Sequence, residues 1–122
     1  MTYIGRFAPS PTGPLHFGSL ITAVASYCDA KANQGTWLVR IEDTDIPRIY
    51  PNSESHILNC IDAFEFEPDA DIIFQKNRLD LYEQVLEQLK QAQQIYACEC
   101  TRKQLGSNHI YVGTCRDLHL DF

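Results

Sequence analysis

The stretch Arg6-Phe7-Ala8-Pro9-Ser10-Pro11-Thr12-Gly13-Pro14-Leu15-His16-Phe17-Gly18-Ser19 constrains the fold of this chain more than any other. Tyr3 to Ala8 is an apolar-tipped strand. The prolines and glycine that follow end it and cannot sit inside a helix. Apolar residues then recur at helical spacing from Ser19 to Asn33. This order places His16 and Gly18 where a helix opens beside the C-terminal end of a strand. Such a spot offers unpaired backbone N–H groups and the positive end of a helix dipole, which suit a polyphosphate. Gly18 lets a ligand approach the backbone, and His16 can donate a hydrogen bond to a phosphate oxygen. An ordinary strand-to-helix turn with a surface histidine is the plainer alternative for the His-x-Gly alone.

Thr36-Trp37-Leu38-Val39-Arg40-Ile41 is β-rich and apolar, and it runs into Glu42-Asp43-Thr44-Asp45. Carboxylates at the C-terminal end of a strand can hold a cationic group or a metal, or can simply form a solvated turn or a helix cap. Downstream, the spacing predicts a helix over Ser53–Phe64 capped by Asn52 or Ser53, a turn at Pro68–Asp71 and a short strand at Ile72–Phe74. A third helix is predicted over Arg78–Gln94, with Leu79, Tyr82, Val85, Leu86 and Leu89 as its core stripe. Gly35 is expected to close the first helix. Alternating strands and helices define the α/β class.

The chain has 122 residues, enough for one small core. Its 16 acidic against 10 basic residues give a net charge of −6, whereas a dedicated nucleic-acid module is usually basic. No apolar run reaches the roughly 20 residues of a membrane span, and no secretory leader pattern opens the sequence, so a cytoplasmic protein is expected. With five cysteines and no leader, a disulfide framework is not expected. Cys28 and Cys60 fall inside helical patterns and read as small buried hydrophobes. Cys98, Cys100 and Cys115 follow a strand-like Ile95-Tyr96-Ala97 and flank a polar loop with Gly106, Ser107, Asn108 and Gly113. Three soft ligands around such a loop are the pattern of a structural zinc site, against the alternative of three unrelated thiols. The fourth ligand is open among His119, which stands four residues after Cys115, Tyr111 and His109.

Taken together, the Arg6–Leu20 run and Arg40-Ile41-Glu42-Asp43-Thr44-Asp45 resemble the class I aminoacyl-tRNA synthetases in their glutamate-specific form. The resemblance continues through Pro47-Arg48, Gln75-Lys76-Asn77-Arg78 and Tyr82 to Cys98-Glu99-Cys100-Thr101-Arg102. Ser19 stands where ordinary glutamyl-tRNA synthetases usually carry a second glycine. Cys98-x-Cys100 is followed by Tyr111-Val112-Gly113-Thr114-Cys115 instead of a distant Cys-x-His pair. That spacing is similar to the glutamyl-Q tRNA(Asp) synthetases, which attach glutamate to the queuosine base of the tRNA(Asp) anticodon.

The resemblance implies the first half of a Rossmann-like catalytic domain over residues 1–94 and the start of a zinc-binding insertion over residues 95–122. It implies an N-terminal piece, lacking the Lys-Met-Ser-Lys-Ser-type loop and inactive alone. Arg6, Phe7, Ala8, Pro9, Ser10 and Glu42 would form the glutamate pocket, and His16, Gly18 and Ser19 the ATP-facing catalytic set. Cys98, Cys100, Tyr111 and Cys115 would hold one Zn2+, the family using a tyrosine at the position matching Tyr111. Implied partners are L-glutamate, ATP with Mg2+, and tRNA(Asp), in a monomer without membrane contact. The rival readings are part of an ordinary glutamyl-tRNA synthetase, a non-enzymatic zinc-bearing remnant, and a small nucleotidyltransferase with a similar histidine motif.

Overall fold

A computed structural model describes residues 3–105 and 110–122, in two compact units, Met1–Leu79 and Asp80–Phe122. The first unit runs β1 (Ile4–Phe7), α1 (Phe17–Ala32), β2 (Thr36–Ile41), a 3-10 turn (Ile46–Arg48), α2 (Ser53–Ala63), β3 (Ile73–Phe74) and a second 3-10 turn (Gln75–Arg78). Its sheet is parallel in the order β1-β2-β3, with Arg6 beside Leu38 and Arg40 beside Ile73. Parallel neighbours require crossovers, and α1 and α2 provide them.

Side chains alternate across the sheet. Phe7, Trp37, Val39 and Ile41 point to one face and are buried with Ala23 and Ala30 of α1 and Ile57 and Ile61 of α2. Both helices therefore cover the same face. Trp37 sits at its centre, edge-on to Tyr27 with ring centroids 5.1 Å apart and stacked beside Phe7. Its indole N–H donates to Ser26 Oγ at 3.0 Å, which satisfies the polar atom a buried tryptophan brings with it. Gly5 is required by the close approach of α1, since a Cβ there would lie 3.1 Å from that of Ala30. The opposite face carries Ile4, Arg6, Leu38 and Arg40, of which Ile4 is 64% exposed.

The end of α1 differs from expectation. Gln34, not Gly35, takes the left-handed conformation (φ 52°). The Gln34 N–H donates to Lys31 O at 3.1 Å and the Gly35 N–H to Ala30 O at 2.8 Å, the paired bonds of a Schellman motif. Gly35 is needed for a different reason: a Cβ would fall 2.4 Å from the Tyr3 carbonyl oxygen.

The second unit holds α3, which spans Leu79–Gln91 and starts at the unit boundary, and the cysteine-bearing segment. The function-based boundary between residues 94 and 95 lies inside this unit. The α3 stripe is not the core it was expected to be: Leu79, Tyr82, Val85 and Leu86 are exposed, and only Leu89 is half-buried. A stripe is buried only where an apolar surface faces it, and α3 is the only helix among the described residues of its unit. Ile95-Tyr96-Ala97 likewise forms no strand. Among the described residues, no helix is long and apolar enough to cross a membrane.

Candidate active site and metal centre

The Pro/Gly loop between β1 and α1 is held by backbone bonds from the segment between β2 and α2. The Glu42 N–H donates to Pro9 O at 2.9 Å and the Tyr50 N–H to Pro11 O at 2.9 Å. Proline carbonyls accept what proline nitrogens cannot donate, so the prolines rigidify the loop without isolating it. The loop and the first turn of α1 enclose an open cleft of ≈ 420 Å³, whose walls include Ala8, Pro9, Ser10, His16, Ser19 and Thr22.

His16 is the N-cap of α1, in extended conformation (φ −83°, ψ 166°). Its Nδ1 accepts from the Ser19 N–H at 3.2 Å, and its Nε2 lies 3.3 Å from Ser19 Oγ. The imidazole folds over the helix start instead of standing free. Gly18 makes that possible, since a Cβ would sit 3.1 Å from the ring. The ring thereby occupies the Ser19 N–H, one of the donors at a helix end whose dipole favours anions.

Arg6 and Glu42 are not walls of this cleft. Arg6 is exposed on the bare sheet face and has no ion-pair partner among the described residues. Glu42 sits just past β2, and its Oε1 accepts from Arg40 Nη2 at 2.5 Å. Phe7, expected as a pocket residue, is 3% exposed and contributes mainly to the core, although it also borders the cleft.

Neighbouring charges fix the frame. Asp43 is buried, its Oδ1 accepting from the Lys76 N–H at 2.8 Å and its Oδ2 lying 3.3 Å from Lys76 Nζ. The same ammonium bonds Glu54 at 2.8 Å, and Glu54 first and Asp43 second raise its pKa. This bolt ties the exit of β2 to the exit of β3 and the start of α2. Sequence reasoning placed Asp43 in an acidic cluster but could not see its role, because Lys76 lies 33 residues away.

In the second unit, the thiols of Cys98, Cys100 and Cys115 lie within 4.8 Å of one another, and Cys100 Sγ and Cys115 Sγ are 3.4 Å apart. The Tyr111 hydroxyl accepts from the Cys115 N–H at 2.8 Å. The Cys100 thiol is pushed up to about 12 by its bond to Cys115, by burial and by Cys98. Burial, first, raises the Tyr111 phenol, while the Glu99 N–H and the Cys100 thiol hold Cys115 low. Three sulfurs within 4.8 Å of one another fit a soft divalent cation. His119 does not join them; it borders a separate cavity with Lys90, Tyr96 and Arg116. His109 lies outside the described residues. Cys28 is exposed, contrary to expectation, because α1 turns Ala23, Tyr27 and Ala30 to the sheet and Cys28 away from it. Cys60 is half-buried.

The first unit is a parallel α/β sheet with a histidine-capped helix after β1 and a carboxylate at the exit of β2, and residues 4–111 match the family of class I tRNA synthetases (E and Q), catalytic domain. The chain belongs to that family. Within it, the chain is 77% identical over 98% of its length to the glutamyl-Q tRNA(Asp) synthetase of Acinetobacter baylyi, and 52% identical over 93% to that of Neisseria gonorrhoeae. It spans about two fifths of the length of these relatives (41% of each). Among solved structures it is similar to the glutamate-tRNA synthetase of Elizabethkingia anophelis, with TM-score 0.70 and 38% identity over 75% of this chain and 20% of that one. A glutamate tRNA ligase from Elizabethkingia meningosepticum, in complex with its amino acid, matches with TM-score 0.71 and 33% identity over 86% of this chain and 22% of that one.

Proposed function

We propose that this chain supplies the first half of a site that activates glutamate with ATP, and that the full polypeptide its gene encodes transfers the glutamyl group to the queuosine base of tRNA(Asp). The cleft at the His16-capped helix start carries the reading, supported by 77% identity to a relative of that name. A carboxylate oxygen of glutamate attacks the α-phosphorus of ATP, the bond to the β-phosphate breaks, and pyrophosphate leaves. The protein's part is positioning and charge stabilisation. His16, Gly18 and Ser19 receive the phosphates, with Mg2+ accompanying ATP. Arg6 grips a carboxylate through its planar fork, Ala8, Pro9 and Ser10 line the pocket, and Glu42 faces the ammonium. Cys98, Cys100, Cys115 and Tyr111 hold one zinc ion, whose contribution is to staple the segment around them.

Labelled glutamate offered with ATP to queuosine-containing tRNA(Asp) and to its unmodified form tests the reading. Label in the anticodon of the modified tRNA alone is expected. Label at the 3′ end would instead favour an ordinary glutamyl-tRNA synthetase, the kind of protein the two similar solved structures are. In the same polypeptide Arg6→Lys and Glu42→Gln are each expected to weaken glutamate binding by about tenfold or more, as loss of one charge-assisted partner does. Unchanged affinity in both would remove these two residues from the pocket.

A further inference from the structure

We infer that Arg40 is the positioning residue of the glutamate pocket, fixing the Glu42 carboxylate so that one oxygen is left for the substrate ammonium. The inference rests on the assignment of Glu42 above. Arg40 and Glu42 stand two residues apart, and Arg40 shares the helix-free face of the sheet with Arg6, whose strand neighbour is Leu38. The Arg40 side chain is only 27% exposed and that of Glu42 35%. Arg40 Nη2 donates to Glu42 Oε1 at 2.5 Å, and no described residue donates to Oε2. Arg40 Nε is buried without a hydrogen-bond partner, which leaves the bond to Glu42 as the one side-chain hydrogen bond of the guanidinium among the described residues. The Glu42 backbone is fixed separately by its N–H bond to Pro9 O.

A glutamate side chain has three rotatable bonds, and an unrestrained one must be ordered again each time a ligand binds. With its backbone tied to the β1–α1 loop and Oε1 tied to Arg40, the carboxylate presents Oε2 in one place before any ligand arrives. The guanidinium also offsets the charge of a half-buried carboxylate in the empty site. Arg40 therefore acts on the ammonium end of the substrate only, through Glu42, and not on its carboxylates.

That asymmetry defines the test. L-glutamate and glutarate share both carboxylates, and glutarate lacks the ammonium. In the full polypeptide the gene encodes, calorimetry on Arg40→Met is expected to show L-glutamate binding weakened about tenfold and glutarate binding unchanged. Arg40→Lys, which keeps the charge and loses the fork, is expected to recover part of the affinity. In a Glu42→Gln background, Arg40→Met is expected to change L-glutamate affinity no further. Equal weakening of both ligands in Arg40→Met, or none for either, overturns the inference while leaving Glu42 in the pocket. A wild-type protein that does not favour L-glutamate over glutarate removes the Glu42 assignment and this inference with it.

Discussion

Gly35 shows how a single residue carries information its neighbours do not. Its sequence context, a glycine after a helical pattern, pointed to the left-handed position. The structure gives that position to Gln34 and reserves Gly35 for a backbone contact with Tyr3. Gly35→Ala would push a Cβ to 2.4 Å from the Tyr3 carbonyl oxygen just before β1, where the backbone must yield. A loss of about 1–3 kcal/mol in denaturant unfolding is expected, and Gln34→Gly is expected to be neutral or slightly stabilising. Asp69 gives a pH prediction. Its carboxylate accepts from Lys31 Nζ at 2.7 Å and from the Trp37 N–H at 2.6 Å, and these partners, Lys31 foremost, hold it below its ordinary 3.8. A depressed carboxyl stabilises fully above the unfolded value and loses that contribution as pH falls through the folded one. Unfolding free energy is therefore expected to drop below pH 3.8, and to drop less steeply in Asp69→Asn. Identical acid limbs in the two proteins would show that Asp69 is not linked to folding.

At the scale of elements, the strands and helices of the first unit follow from periodicity, and their bounds shift by a residue or two. The second unit behaved differently. Its helix has a clear stripe that is exposed, its predicted strand is unpaired, and its order centres on a cluster of sulfurs. Metal binding is therefore expected to contribute most of the stability of this segment. Metal-replete protein is expected to contain one zinc per chain, lowered or lost in Cys98→Ser and Cys115→Ser and unchanged in Cys28→Ser and Cys60→Ser. Tyr111→Phe is expected to weaken retention and His119→Ala to leave it intact, because the phenol lies at the Cys115 amide and the imidazole borders another cavity. Elemental analysis with a competing chelator reads the wild type and all six variants, and zinc-free wild type would eliminate the site. Binding requires thiolates, so retention is expected to fall as pH is lowered.

For the whole molecule, the 122-residue chain alone is expected to catalyse glutamate-dependent ATP–pyrophosphate exchange far more slowly than the full polypeptide, since its cleft is open and single transition-state contacts each contribute several kcal/mol. Comparable rates would show that the described cleft is a complete site. The sequence by itself determined the element order, the parallel α/β class, the cleft at the start of α1 and the grouping of Cys98, Cys100 and Cys115. All of these depend on local chemistry: alternation, helical period, proline and glycine at a loop, and thiols at short spacing. Tertiary structure alone decided that His16 caps its own helix, that Asp43 is buried against Lys76, that Arg40 holds Glu42, that Cys28 faces outward, and that Tyr111 rather than His119 stands at the sulfurs. Each of those turns on which way a side chain points or on a partner brought near by packing. A pattern along one dimension does not contain that information.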